Sequence, residues 1–112
     1  MVKKRTVAKR KKRSDCLHIL YQLTLVETGQ TYIGLSRMNG RSSVKALAER
    51  WRRHNSRAKH EDKGWALHLA LRAYPDPNSW TKVVLRTVRG RAEAHTAERK
   101  LIRLLAPELN TF

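Results

Sequence analysis

Cysteine, acidic residues and long apolar runs are scarce in this sequence, and each scarcity excludes a class of protein. The single cysteine, Cys16, cannot form an internal disulfide or a zinc site built from several thiolates. The apolar stretches are far too short to cross a bilayer, and no apolar signal core follows the basic N-terminus. With 112 residues there is room for one modest core, which excludes large cofactor folds. We therefore expect a soluble cytoplasmic protein with no membrane partner.

Positive charge dominates the residues that are present. The 25 lysines and arginines outnumber the 9 acidic residues and give a formal net charge of +16. This self-repelling balance makes sense chiefly when a polyanion supplies the counter-charge, so nucleic acid is the first partner to consider. Hydrophobic residues make up 40% of the chain, which is enough to expect a folded body.

Residues 1–14 differ from the rest of the chain. They hold eight basic residues and no acid, which predicts a basic arm that is flexible when free. An arm of this kind suits contact with DNA phosphates, nuclear import in a eukaryotic host or simple solubilisation. Its candidate DNA contacts are Lys9, Arg10, Lys11, Lys12 and Arg13. Residues 15–112 still carry 17 basic and 9 acidic residues, a net charge of +8, so the body is cationic as well.

The first half of the body has the pattern of a β-hairpin. Apolar residues occupy the odd positions of residues 17–26, which predicts a strand with one buried face. A short turn at residues 27–30 contains Gly29, and extended character resumes at residues 31–35. The hairpin places Tyr21 and Tyr32 on neighbouring strands.

Helical spacing dominates the rest of the body. Ser42 or Ser43 is expected to cap a basic helix, whose core-facing stripe is predicted to be Val44, Leu47, Ala48, Trp51 and Ala58. A second helix is predicted over residues 64–74, a third strand over residues 80–88 and a last helix over residues 92–105. The order of elements predicts an α+β fold.

One acid of the last helix stands out. Glu98 follows Ala94 by four residues and precedes Leu101 by three, which places it in the middle of the apolar face. A buried carboxylate needs a partner. That partner is either an arginine in a structural ion pair or a divalent cation, which in phosphodiester hydrolysis polarises the phosphate.

The basic helix offers groups that suit a phosphate. Arg50 and His54 lie four residues apart on one face, where the arginine could bind phosphate oxygens and the histidine could donate or move a proton. The alternatives are a helix flank that pairs with acids and, for Tyr21 and Tyr32, simple packing of the rings. Other candidate DNA contacts in and before this helix are Arg37, Arg41, Arg53 and Arg57.

Taken in order, these residues resemble the motifs of the GIY-YIG nuclease superfamily, and most closely those of the catalytic domain of phage homing endonucleases. The matching segments are Ile19-Leu20-Tyr21, Tyr32-Ile33-Gly34 after ten intervening residues, Glu49-Arg50-Trp51-Arg52-Arg53-His54, Glu98 and Asn110. The resemblance covers nearly everything after the arm and implies a small three-stranded antiparallel sheet flanked by helices over residues 15–112. The first motif departs from the family pattern, because Ile19 stands where the family has glycine.

The resemblance implies a role for each matching residue. Glu98 would hold one Mg²⁺ or Mn²⁺ ion, Tyr21 would deprotonate or orient the attacking water, and Arg50 would grip the phosphate. Tyr32 and His54 would assist in positioning. Supporting roles would fall to Gly34, through a close approach of the backbone to phosphate or to a neighbouring strand, to His60 or Lys63, and to Asn110.

The function expected from the sequence is therefore a metal-dependent DNA endonuclease, of homing type or related. The alternatives are a non-catalytic nucleic-acid-binding protein, in which the aromatic residues pack or stack on bases, and a member of the nuclease family that binds DNA without turnover. The cationic arm attracts phosphates without reading bases, so either sequence specificity is low or it comes from a homo-oligomer, from a partner or from the loop at residues 37–43.

Overall fold

The protein has an α+β fold built on three strands. The structure is a computed structural model and describes residues 16–61 and 64–110. The strands are β1 (Leu17–Leu25), β2 (Thr31–Arg37) and β3 (Trp80–Arg89), and the helices are α1 (Ser43–His60), α2 (Ala66–Ala73) and α3 (Arg91–Leu105). Short 3-10 helices span Pro77–Ser79 and Glu108–Asn110. The sheet is antiparallel in the order β2-β1-β3, which confirms the predicted fold class.

Some of the predicted site residues are outside the part of the chain that the structure describes. Residues 1–14, with Lys9, Arg10, Lys11, Lys12 and Arg13, lie outside the described residues, and so does Lys63. Within the described ranges, the structure has no helix that is both long and apolar enough to cross a membrane.

The central strand β1 is buried along most of its length. Its odd residues pack in one core with residues of α1 and α2, including Leu47 and Leu67. Its even residues point to the other face of the sheet, where α3 contacts β1 and β2 and contributes the fully buried Ala94. Helices therefore cover the sheet on both sides, which explains why Leu20 is buried as completely as Ile19.

Several apolar residues that the helical pattern assigned to the core are exposed instead. Val44 is 73% exposed, because the buried residues of α1 begin only at Ala46. Ala48, which was also predicted to face the core, is exposed as well. Helical spacing predicts which face of a helix is apolar, but the surface that it packs against determines how much of that face is covered.

The free edge of β2 is closed by the C-terminal 3-10 helix. The side chain of Asn110 accepts a hydrogen bond from the Ile33 backbone N–H at 2.8 Å and donates one to the Ile33 carbonyl, also at 2.8 Å. The Glu108 carboxylate accepts another from the Thr31 N–H at 3.2 Å. A side-chain amide thus pairs with the edge strand as a neighbouring strand would.

Replacement of Asn110 by alanine removes two hydrogen bonds from one residue of an edge strand. We expect Asn110→Ala to lower the free energy of unfolding by roughly 1–3 kcal/mol, because the backbone groups of Ile33 lose their partners. Urea denaturation followed by circular dichroism measures the change. The exposed Asn78 provides the control, and equal stability of Asn110→Ala and Asn78→Ala would contradict a structural role for the pairing.

Candidate active site

The candidate site starts from a close contact between β1 and β2. Tyr21 and Gly34 are paired across the two strands, and the fully buried ring of Tyr21 lies against the glycine. A Cβ atom on Gly34 would overlap the Cζ and hydroxyl oxygen of Tyr21 and would lie 2.8 Å from Cε2 of Tyr32. Glycine is required here because the neighbouring phenol occupies the space of a side chain.

A hydrogen-bonded chain connects this phenol to α1. The Tyr21 hydroxyl lies 2.7 Å from Nε2 of His54, and Nε of Arg50 donates to the same hydroxyl at 3.3 Å. Because the guanidinium only donates, the phenol accepts from Arg50, and its own proton is free to bond His54. The ring of Tyr32 meets His54 edge-on, with 5.4 Å between ring centroids. Four of the predicted site residues therefore form one cluster.

Burial sets the protonation states of this cluster. Burial raises the pKa of Tyr21 far above its ordinary value, and it raises the pKa of Tyr32 as well. Burial, assisted by the nearby charge of Arg50, lowers the pKa of His54 to about 3. At neutral pH both phenols are protonated and the imidazole is neutral. Arg50 is then the charged member of the cluster, and it lines a pocket of about 240 Å³ with Tyr32 and His54.

Glu98 lies in a different pocket. Its side chain is 22% exposed, and burial raises the pKa of its carboxyl group. The pocket has a volume of about 340 Å³ and shares no lining residue with that of Arg50. Glu98 is nevertheless within electrostatic range of the Arg50 cluster. Its charge contributes to raising the pKa of Tyr21 and of Tyr32, and the charge of Arg50 acts to lower the pKa of Glu98.

The donor set at Glu98 fits a water-rich divalent ion. Within residues 16–61 and 64–110, no three or more histidine, cysteine or acidic side chains are grouped to hold a metal ion. Mg²⁺ does not need such a cage, because it is commonly bound by one or two carboxylates, several waters and the phosphate oxygens of a substrate. A single carboxylate, whose Oε1 lies 3.7 Å from Nδ1 of His95, would supply the protein ligand to Mg²⁺ or Mn²⁺, with waters and substrate phosphate oxygens as the others.

The remaining predicted DNA contacts are distributed over the surface. Arg41 forms an ion pair with Glu49, which Arg53 also approaches at 4.0 Å. Arg57 pairs with Glu61 at 3.2 Å and lines the pocket of Arg50. Arg37 lines the pocket of Glu98. His60, the alternative to Lys63, is exposed at the end of α1 and lines neither pocket.

Sequence reasoning missed the residues that surround Glu98. His18, Arg91 and His95 line its pocket together with Arg37. A signal was present, because Arg91, His95 and Glu98 are spaced by four and three residues and so share one face of α3. His18 is an even residue of β1, and strand alternation places it on the face covered by that helix.

Comparisons of the chain with protein-family models, with curated proteins and with solved structures find no match. The assignment of roles therefore depends on the geometry above and on the motif resemblance.

A side chain at Gly34 should disrupt the cluster. We expect Gly34→Ala to lower the free energy of unfolding by roughly 1–3 kcal/mol, because the new methyl group displaces the Tyr21 ring from its site against β2. Urea denaturation gives the change, and Gly64→Ala is the control, since a Cβ atom there meets no atom within 4 Å. Two variants of equal stability would show that the ring does not depend on the glycine.

The buried imidazole should make stability depend on pH. Because the pKa of His54 is about 3 in the folded protein and about 6.5 when unfolded, its contribution is complete above pH 6.5 and is lost as the pH falls toward 3. From pH 7 to pH 5 the free energy of unfolding should fall by about 2 kcal/mol more in the wild type than in His54→Gln. Urea titrations at the two pH values measure this difference, and His60→Gln should behave as the wild type does. A His54→Gln variant with the wild-type pH dependence would refute the neutral, buried imidazole.

Proposed function

We propose that the protein is a metal-dependent endonuclease that hydrolyses phosphodiester bonds of DNA, as the homing nucleases that it resembles do. The observation that carries the proposal is the hydrogen-bonded chain from Arg50 through Tyr21 to His54, with the carboxylate of Glu98 in electrostatic range. A cation that binds phosphate, a phenol with a proton acceptor and a carboxylate are the groups that phosphodiester hydrolysis uses.

Arg50 supplies the charge at the phosphate. Its side chain lines the pocket, and its Nε donates to Tyr21, which leaves the terminal guanidinium nitrogens to bind phosphate oxygens. The hydrogen bond to a buried phenol holds the guanidinium in place before substrate binds. A preorganised cation stabilises the charge that accumulates on the phosphorus oxygens in the transition state.

Tyr21 and His54 position the groups that would meet the attacking water. The Tyr21 hydroxyl is fully buried and stays protonated, so it acts through its neighbours and not by taking a proton from the water. It accepts a hydrogen bond from Arg50 and lies 2.7 Å from Nε2 of the neutral His54, which fixes both side chains at the pocket. Tyr32, which lines the same pocket, would help these two side chains to position the water and the phosphate.

Glu98 holds the metal ion in this proposal. A Mg²⁺ or Mn²⁺ ion bound there would polarise the phosphate and stabilise the leaving oxygen. The residue reaches this position because α3 packs on the sheet through Ala94, one turn before it. Partial burial strengthens the interaction of its carboxylate with a cation.

A second candidate function, non-catalytic binding of nucleic acid, is favoured by one observation. The Tyr21 hydroxyl is completely buried, and a buried phenol also serves well as a packing residue between β1 and α1. In that case the cationic body and arm would bind phosphates without cleaving them.

DNA as the partner is supported by the net charge of +16. The proposal includes a location in the cytoplasm, beside the nucleoid or in the host cytoplasm if the chain is phage-encoded. It also leaves target specificity to a homo-oligomer or a separate partner, because phosphate contacts do not discriminate between bases.

Plasmid cleavage distinguishes the two candidate functions. The wild-type protein should nick supercoiled DNA in Mg²⁺, and this cleavage should stop when EDTA is added. We expect Arg50→Ala and Glu98→Gln to lower the nicking rate by roughly 100-fold or more, because the first removes a cation that stabilises transition-state charge and the second removes the carboxylate that would hold the metal ion. Glu93→Gln, on the exposed side of the same helix, is the control for Glu98→Gln and should cleave normally.

DNA retention by the same variants is measured in a mobility-shift assay without metal. Glu98→Gln should bind DNA about as tightly as the wild type, since its defect is confined to the chemical step. Metal-independent nicking, or wild-type cleavage by Glu98→Gln, would contradict the proposed mechanism. DNA binding by a wild-type protein that never cleaves would favour the binding function.

A further inference from the structure

The pocket around Glu98 holds more positive charge than the fold neutralises. Arg37 at the end of β2 and Arg91 at the start of α3 line it with His18 and His95, and Glu98 is its acidic residue. Two permanent guanidinium charges and one carboxylate therefore line the same pocket, before any charge on the histidines is counted. This surplus lies in a concave pocket of about 340 Å³ and not on a flat solvated surface.

Neither arginine has its charge compensated within the part of the chain that the structure describes. Glu98 pairs with His95, and the contact that Arg37 makes is with Sγ of Cys16 at 3.9 Å. Arg91 takes part in none of the ion pairs among these residues. Among residues 16–61 and 64–110, neither cation therefore has an acidic partner.

The charges of both arginines act on a buried histidine of the pocket, His18. Burial lowers the pKa of His18, and the charges of Arg37, His95 and Arg91 lower it further. The positive potential of the pocket therefore acts on the buried side chain of His18. The first turn of α3 adds to that potential, because its N-cap is Gly90, which has no side chain to bind the free backbone N–H groups.

We propose that this pocket is a second phosphate-binding subsite, in which Arg91 and Arg37 bind a phosphate group of the nucleic acid other than the one held by Arg50. The identification of the ligand as nucleic acid rests on the proposed function. The geometry of the cations rests on the structure alone. Planar guanidinium groups bind phosphate oxygens in pairs, which gives the contact direction as well as strength.

The subsite gives the bound strand an orientation. Glu98 lines the pocket of Arg91 and is in electrostatic range of Arg50. A strand bound in both pockets would therefore bring a phosphodiester within electrostatic range of the carboxylate. A terminal phosphate in the second pocket would instead place the cleavage site close to a strand end.

The first test is DNA affinity in EDTA as a function of salt concentration. Arg91→Ala should reduce the slope of log affinity against log salt by about 1 and should weaken binding several-fold at low salt, because one phosphate contact is lost. Arg103→Ala is the matched control, since this exposed arginine of the same helix lines neither pocket. Arg37→Ala provides a second variant, with its folding checked by circular dichroism. Equal slopes for Arg91→Ala, Arg37→Ala and Arg103→Ala would overturn the proposal.

The second test identifies the source of the phosphate. Binding is compared for a covalently closed circular duplex, which has internal phosphates only, and for linear duplexes with and without 5′-phosphates. If Arg91→Ala loses affinity for all three DNAs, the phosphate bound in the pocket is an internal phosphodiester. A loss confined to the 5′-phosphorylated duplex identifies a terminal phosphate. If none of the three DNAs shows a loss beyond that of Arg103→Ala, no such subsite exists.

These experiments separate the subsite from the proposed nuclease activity. A wild-type protein that fails to cleave in Mg²⁺ refutes the nuclease, but its metal-free binding still shows whether Arg91 contacts phosphate. Conversely, normal cleavage with identical binding by Arg91→Ala and Arg103→Ala refutes the subsite and leaves the nuclease intact.

Discussion

The hydrogen bond between the buried Tyr21 hydroxyl and His54 is the interaction on which the candidate site depends. It joins the central strand to α1, and Gly34 makes room for it by presenting no side chain to the phenol. Both partners are neutral at neutral pH because burial disfavours their charged forms. The Tyr21 hydroxyl also accepts a hydrogen bond from Arg50, and this bond restricts a guanidinium group that would otherwise sample solvent.

The fold was largely predictable because its signals are local. Alternation in β1, the turn at Gly29 and helical spacing in α1 and α3 depend on neighbouring residues only, and the order and type of elements were right. The helical pattern overestimated burial, since Val44 and Ala48 belong to the predicted core-facing stripe of α1 but are exposed. Coverage depends on where a helix meets the sheet, and a single sequence contains no direct record of that placement.

The candidate site was predictable in part for the same reason. Tyr21, Tyr32, Arg50 and His54 form the cluster that the motif resemblance implied. The cations around Glu98 come from three separate elements, and only packing brings His18 of β1 and Arg37 of β2 to the side of α3. The catalytic and binding roles of all these residues stay predictions, because no family model matches the chain.

The pairing of Asn110 with Ile33 also constrains how the chain folds. The two residues are 77 positions apart, so the contact closes one of the longest loops in the molecule. During synthesis the hairpin of β1 and β2 leaves the ribosome well before the segment that covers its edge. For that interval the outer hydrogen-bonding groups of β2 are open to strands of other chains, and the net charge of +16 opposes such pairing by repulsion between copies.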